Sequence, residues 1–364
     1  MLARFGLEAG EATSLFAALR GLIFADSFGM RQANIFLLAG VFLFQIGACT
    51  GVEGGTAELG MAEQAAASRL PGGPFVKGGQ TAYFHDEGFA AGFFHTYDRM
   101  SFGPSDAPRK VHVFVPRSYE TSGRRYPILY VNDGDTAFFR GGAAGKTWAF
   151  AEALEQLYAS GRVPEVIVVA VHPLDREREY THALAGPGRP CCAVDGYADY
   201  LRTRIKPFVD ASYRTLPDAA HTVIVGSSHG GLAAFYAAGR HPETFGNVVA
   251  MSSSFWVGID FGPASLGDLR RSELWRRTSS TYGGPNRPKV YLDWGLERSG
   301  GFHNEVIEAM ATRQGRAMAT LLRERGYREG DDLRVVEDSE GRHDEDSWRR
   351  RLPDALAFVL GPMM

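Results

Sequence analysis

Residues 221–239 read HTVIVGSSHGGLAAFYAAG. Thr222–Val225 are all β-branched and three of the four are apolar, which reads as a buried strand. Gly226-Ser227-Ser228-His229-Gly230 then matches G-x-S-x-G, and the Ala- and Gly-rich stretch behind it reads as a closely packed helix. The bare pattern carries little weight in a chain with 44 glycines. The strand running in and the helix running out give it meaning, because together they make a sharp strand–turn–helix elbow. Glycines two residues either side of Ser228 let strand and helix approach each other. Ser228 is left at the helix N-terminus, where free N–H groups and the helix dipole favour a developing oxyanion. Ser228 is therefore the candidate nucleophile.

Working outward, short β-rich runs alternate with helical patterns from residue 80 onward. Strands are expected at Tyr83–Phe84, Gly92–His95, Lys110–Val115, Ile128–Asn132, Val166–His172, Thr222–Val225, Val248–Met251, Val290–Asp293 and Arg334–Glu337. The run VIVVAV at 166–171 is apolar on both faces. That suits a parallel sheet covered by helices on each side. The earlier run VHVFV at 111–115 alternates more and suggests an antiparallel edge. Helical spacing marks Trp148–Ala159, Tyr197–Val209, Gly231–Gly239, Val306–Glu324 and Trp348–Val359. The expected class is α/β, with a mostly parallel central sheet, helices on both faces and an antiparallel N-terminal edge. Ser252–Asn286 has no clear period and reads as a lid or pocket insertion.

A serine of ordinary acidity needs a base. Of the ten histidines, His229 adjoins the nucleophile and points along its helix, His172 ends a strand, and His241 sits in a capping turn. His343 follows the late strand LRVVE, in the polar turn SEGRHDED, ahead of an amphipathic helix. A loop at a strand's carboxyl end lands on the same sheet edge as the elbow, so His343 is the expected base. The acid is expected in YLDWGLERSGG at 291–301, between Ser and His in chain order. Glu297, just past Gly295, is preferred; Asp293 is the alternative, and Asp338 and Asp344 near His343 are substitutes. Oxyanion donors are expected at the backbone N–H of His229 and in the loop after ILYVN, at Gly134 and Asp135. Arg176, Arg178, Trp256 and Trp294 are candidates for lining a pocket that takes an anionic or aromatic ester.

The chain has 364 residues, with 39 Lys+Arg against 42 Asp+Glu and a net charge of −3. Its pI of about 6.4 excludes the basic footprint of a nucleic-acid binder. The segment NIFLLAGVFLFQIGA at 34–48 is too short to span a bilayer but fits the apolar core of an export signal, with Arg31 before it. Ile46-Gly47-Ala48-Cys49 resembles a lipoprotein signal, which makes Cys49 the expected site of lipidation and the protein exported and anchored on a bacterial membrane surface. The expected organisation is an upstream extension over 1–29, a signal peptide over 30–48, a flexible tether over 49–75 and one catalytic domain over 76–364. Cys191 and Cys192 are adjacent; their Cα spacing is below that of an ordinary disulfide, so a bond between them is strained. GGAAGKT at 141–147 imitates a phosphate-binding loop, but Arg140 stands where the first glycine would be. No H-E-x-x-H, C-x-x-C or G-x-G-x-x-G pattern is present, so neither metal nor dinucleotide cofactor is expected.

Consecutive motifs extend the elbow. They are YPILYVNDGD at 126–135, VIVVAVHPLDREREYT at 166–181, IKPFVDASYRT at 205–215, VGSSHGGLAAFYAAGRHPETFGNVVAMSSSFW at 225–256 and GRHDEDSWRRRLPDAL at 341–356. Over about residues 80–361 the chain resembles the putative-esterase family of α/β-hydrolases, nearest its enterochelin-esterase-like branch. The resemblance implies a cofactor-free serine hydrolase of small-molecule esters, with Ser228 and His343 in its catalytic set. Two other functions are weighed beside it. One is acyl transfer of the mycolyl-transferase type; the other is a non-catalytic surface binding protein on a hydrolase scaffold.

Overall fold

The computed structural model describes residues 72–142, 144–259 and 267–361. The signal, Cys49 and most of the tether lie outside the described residues. The strands are β1 (Gly73–Lys77), β2 (Gln80–His85), β3 (Gly92–Met100), β4 (Arg109–Pro116), β5 (Ile128–Val131), β6 (Ile167–Val171), β7 (Thr222–Ser227), β8 (Asn247–Met251), β9 (Lys289–Gly295) and β10 (Leu333–Asp338). β1 overlaps the end of the stretch read as tether, so the folded domain begins a few residues before 76.

These strands form one sheet in the order β1-β2-β3-β4-β6-β5-β7-β8-β9-β10. β1 to β4 pair antiparallel, as does β4 with β6. From β6 through β5 to β10 every pairing is parallel. This matches the expected α/β class with an antiparallel N-terminal edge.

Alternation along the strands explains the two-sided core. Ile128, Tyr130, Ile167, Val169 and Ile224 face one apolar cluster. Their neighbours Leu129, Val131, Val168, Ala170, Val223 and Val225 face the other. The first cluster is roofed by the elbow helix His229–Arg240 and by Leu201, Ile205 and Val209 from the helical segment 194–212. The second is roofed by Phe150–Ala159 and by the C-terminal helix Glu345–Leu360. Each fully buried Val or Ile contributes about 1.5–3 kcal/mol, so a strand apolar on both faces is strongly held.

Chain order reverses at β5, with β6 on one side and β7 on the other. Connections leave β5 and β7 in opposite directions there, which opens a crevice at their carboxyl ends. The elbow follows β7 and the Asn132–Asp135 loop follows β5, so both border that crevice.

Part of the Ser252–Asn286 segment is ordered helix rather than lid. Glu273–Tyr282 packs on the elbow helix, with Tyr282 stacked on Phe235 at 4.2 Å and its hydroxyl donating to the Phe235 carbonyl. Residues 260–266 of that segment lie outside the described residues. Cys191 and Cys192 are joined as a vicinal disulfide, their Cα atoms 3.7 Å apart.

Candidate active site

Ser228 caps the elbow helix with φ 53° and ψ −123°. This is backbone that an L-residue seldom adopts, and such strain concentrates at functional sites. It persists because the surroundings over-determine it. Ser228 N–H donates to the Met251 carbonyl at 2.9 Å, and Ser254 N–H donates to the Ser228 carbonyl at 3.0 Å. A Cβ on Gly226 would come within 2.1 Å of the Gly230 carbonyl oxygen, so only glycine lets strand and helix meet this closely.

The Ser228 hydroxyl lies 2.9 Å from His343 Nε2. His343 follows β10 and is 8% exposed, like the nucleophile. Its backbone N–H donates to Asn304 Oδ1 at 3.0 Å, which fixes the loop. Its ring stands edge-on to Trp348. The two side chains that the sequence pairs, Ser228 and His343, thus lie within hydrogen-bond distance of each other.

The carboxylate beside His343 is neither Glu297 nor Asp293. His343 Nδ1 lies 2.5 Å from Glu308 Oε2. Glu308 is wholly buried and closes a π-turn, His303–Glu308, at the head of the helix Ala309–Glu324. Such turns recur at functional sites because they re-aim one side chain out of helical phase. Glu308 Oε1 accepts from the Ser252 hydroxyl at 3.0 Å and from Gly295 N–H. Burial alone would raise its carboxyl, but the His343 imidazole and these donors hold it below its ordinary value.

Glu297 does not reach His343; its carboxylate accepts from Ser299 N–H within its own loop. Asp293 is buried in β9 and pairs with Arg351 at 2.9 Å. Asp338 pairs with Arg350 and Arg351. Asp344 caps the C-terminal helix and pairs with Lys146, which also gives the lysine of GGAAGKT a structural place. A signal for Glu308 did exist. It shares a buried helical stripe with Ala311, Gly315, Met318 and Leu322, where a carboxylate is out of place unless partnered.

The loop after β5 starts a short helix, Gly134–Ala137. The first N–H groups of such a turn lack helical partners. Asp133 N–H is taken by the Tyr180 hydroxyl at 2.9 Å, which leaves Gly134 and Asp135 next in line. Asn132 Nδ2 donates to the Gly230 carbonyl at 2.8 Å, tying this loop to the elbow that carries His229. The glycine at 134 is demanded by packing: a Cβ there would lie 2.7 Å from the Ala170 backbone. The close approach is to β6.

Around the nucleophile, Ser254 Oγ lies 3.4 Å from Ser228 Oγ and 3.2 Å from His229 Nδ1. Burial, with Arg176, His343 and Arg189 nearby, pushes the His229 imidazole down to about 3, so it is neutral at neutral pH. Trp256 packs edge-on against His229 at 5.7 Å. Arg176 forms a two-pronged pair with Asp133, at 2.7 and 2.9 Å, while its side chain stays partly exposed. Trp294 does not line the site. It is 1% exposed, and its ring covers Gly315, where a Cβ would lie 2.4 Å from it.

Residues 105–359 match the family described as Putative esterase. Among curated relatives, the iron(III) enterobactin esterase of Dickeya dadantii is 35% identical over 156 residues, 42% of this chain and 31% of that protein. The Bacillus subtilis protein YbbA is 21% identical over 70% of this chain and 93% of its own length. The chain thus spans nearly all of the second relative and under a third of the first. Among solved structures, an IroE-like serine hydrolase of Shewanella oneidensis superposes with a TM-score of 0.55 at 19% identity, covering 73% of this chain and 80% of that one. That likeness concerns the fold, which is the α/β-hydrolase fold. With a family match running from before β4 to the last turn of the C-terminal helix, the chain belongs to the Putative esterase family.

Proposed function

We propose that this protein hydrolyses carboxylic esters through an acyl-enzyme on Ser228. One observation carries the reading: an unbroken line of hydrogen bonds runs from Ser228 Oγ through His343 to Glu308, at 2.9 and 2.5 Å. The Ser228 hydroxyl donates to His343 Nε2. As the oxygen attacks the ester carbonyl, His343 takes the proton, and the Glu308 carboxylate stabilises the imidazolium and holds its tautomer. The tetrahedral oxyanion meets the N–H groups of His229 and of Gly134 or Asp135; each such donor is worth about 2.7–4 kcal/mol. His343 then protonates the leaving alcohol. Water repeats the cycle and releases the acid.

For the substrate, we propose an ester whose acyl side carries an aromatic or anionic group. The support is the residue set beside Ser228: Trp256, neutral His229 and the exposed part of Arg176. The relative named as an iron(III) enterobactin esterase is consistent with that chemistry. The test is an ester panel of short-chain nitrophenyl, feruloyl and siderophore-trilactone substrates, with glycerol and sugar acceptors added in parallel. A preference for short aliphatic esters would remove the substrate proposal. Acyl glycerol or acyl sugar in excess over free acid would replace hydrolysis by transfer.

We also propose export through the signal at residues 30–48 and lipid attachment at Cys49, on the sequence pattern alone. Mass spectrometry of the mature N-terminus tests it; a product that retains residues 34–48 overturns it.

A further inference from the structure

Glu308 must present one carboxylate oxygen to His343 and stay ionised while wholly buried. Ser252 stands directly behind it. It is the first residue past β8, fully buried, with φ 41°. Its N–H donates to the Asp293 carbonyl at 2.8 Å and to Asp293 Oδ1 at 3.1 Å. Its hydroxyl has three neighbours: Glu308 Oε1 at 3.0 Å, Trp348 Nε1 at 3.1 Å and Arg351 Nη2 at 3.1 Å.

The direction of the hydroxyl proton follows from donor chemistry. An indole N–H and a guanidinium N–H can only donate, and a hydroxyl has one proton and two lone pairs. Trp348 and Arg351 occupy both lone pairs. The proton is left with one acceptor, Glu308 Oε1. That oxygen also takes the Gly295 N–H, so the other oxygen, Oε2, is turned to His343 Nδ1. Arg351 is itself fixed by Asp293, with contacts of 2.9 and 3.0 Å, and by Asp338 at 3.1 Å. Ser252, Glu308, Trp348, Arg351 and Asp293 are all buried, where a hydrogen bond is electrostatically stronger than in water.

We propose that Ser252 is a positioning residue of the esterase reaction: oriented by Trp348 and Arg351, it delivers its one proton to Glu308 and so fixes the carboxylate that orients His343. The proposal rests on the reading of Ser228, His343 and Glu308 as the reacting set. It adds a residue that touches neither substrate nor base.

The experiment uses the described domain in its full-length chain and four variants: Ser252→Gly, Ser252→Ala, Glu308→Gln and Ser252→Gly with Glu308→Gln. Glycine suits the positive φ at 252, so Ser252→Gly removes the hydroxyl without straining the backbone and carries the test even where the alanine variant does not fold. The expected result is a fall in kcat of roughly tenfold or more for Ser252→Gly, with KM little changed, because the lost interaction serves the transition state. In the Glu308→Gln background the same change should cost less than twofold. The low-field proton resonance of His343 Nδ1–H should shift or broaden in Ser252→Gly. An unchanged kcat, an undiminished loss in the Glu308→Gln background, or an unmoved resonance would each overturn the role of Ser252. A wild-type protein that cleaves no ester in the panel fails the esterase reading instead, and the resonance still reports on Ser252.

Discussion

Glu308 Oε2 lies 2.5 Å from His343 Nδ1, although 35 positions separate the two residues. The two arrive on different elements: the head of the helix after β9, and the loop after β10. Their side chains are 0% and 5% exposed. In so dry a setting a positive charge on His343, such as the proposed attack would create, is stabilised by a carboxylate that water cannot screen. In the proposed reaction the pair is therefore worth most at the moment the proton moves, as differential binding of the transition state requires.

Ser228→Ala should abolish ester hydrolysis, with kcat falling on the order of 10⁶. The fold should be retained, because the hydroxyl's contacts are to His343 and Ser254 rather than to the core. Nitrophenyl-ester kinetics beside a thermal melt checks both halves. A purified variant turning over at wild-type rate would mean that Ser228 is not the nucleophile.

Glu308→Gln should lower kcat by roughly 10²–10⁴ at neutral pH, as expected when the acid of such a set becomes an amide. Glu297→Gln should stay within about twofold of wild type, since its carboxylate accepts from Ser299 N–H in its own loop and not from His343. The two are measured side by side on one substrate. The reverse pattern would restore Glu297 as the acid.

Stability should fall on acidification from pH 7 to pH 5. Burial, chiefly, lowers His95 to about 4, His112 to about 3 and His182 to about 4, from 6.5. These rings are neutral in the folded state, and the unfolded chain binds their protons first. Folding stability is thus intact above 6.5 and is lost as pH drops toward 4. At about 1.36 kcal/mol per pH unit, each ring costs about 2 kcal/mol by pH 5. Among the described residues neither ring nitrogen of His182 has a hydrogen-bond partner, so His182→Phe should be near neutral at pH 7 and more stable than wild type by about 2 kcal/mol at pH 5. Urea unfolding at both pH values measures this. An equal effect of the substitution at both would refute it.

Gly226→Ala should destabilise the domain by about 1–3 kcal/mol or more, because its Cβ would meet the Gly230 carbonyl rather than a movable side chain. A melting temperature within a degree of wild type would contradict the close packing of the elbow.

The parallel sheet was legible because strands such as Val166–Val171 are apolar on both faces, a pattern that leaves few alternatives. The meeting of Ser228 with His343 was legible because each sits in a turn directly after a strand. Glu308 was hidden for a physical reason. It belongs to a helix, and at sequence level its buried position looks like one polar residue in an amphipathic pattern. Trp294 misled in the opposite way. Aromatic residues near a site invite a binding role, yet its position in β9 turns the ring onto Gly315. β1 was missed because its five residues, GPFVK, carry too little β signal beside a Gly- and Ala-rich approach.

The π-turn at His303–Glu308 sets the site by counting. Asn304 holds the backbone of His343 and Glu308 holds its ring, so one short stretch clocks both. An α-helix advances about 100° per residue. Deleting the single residue Glu305 would let the turn wind as ordinary α-helix and put Asn304 and Glu308 roughly a quarter-turn out of phase with each other, so that the two could no longer both meet His343. The arrangement can therefore be lost by a change in length alone, with Ser228, His343 and Glu308 all still present in the chain.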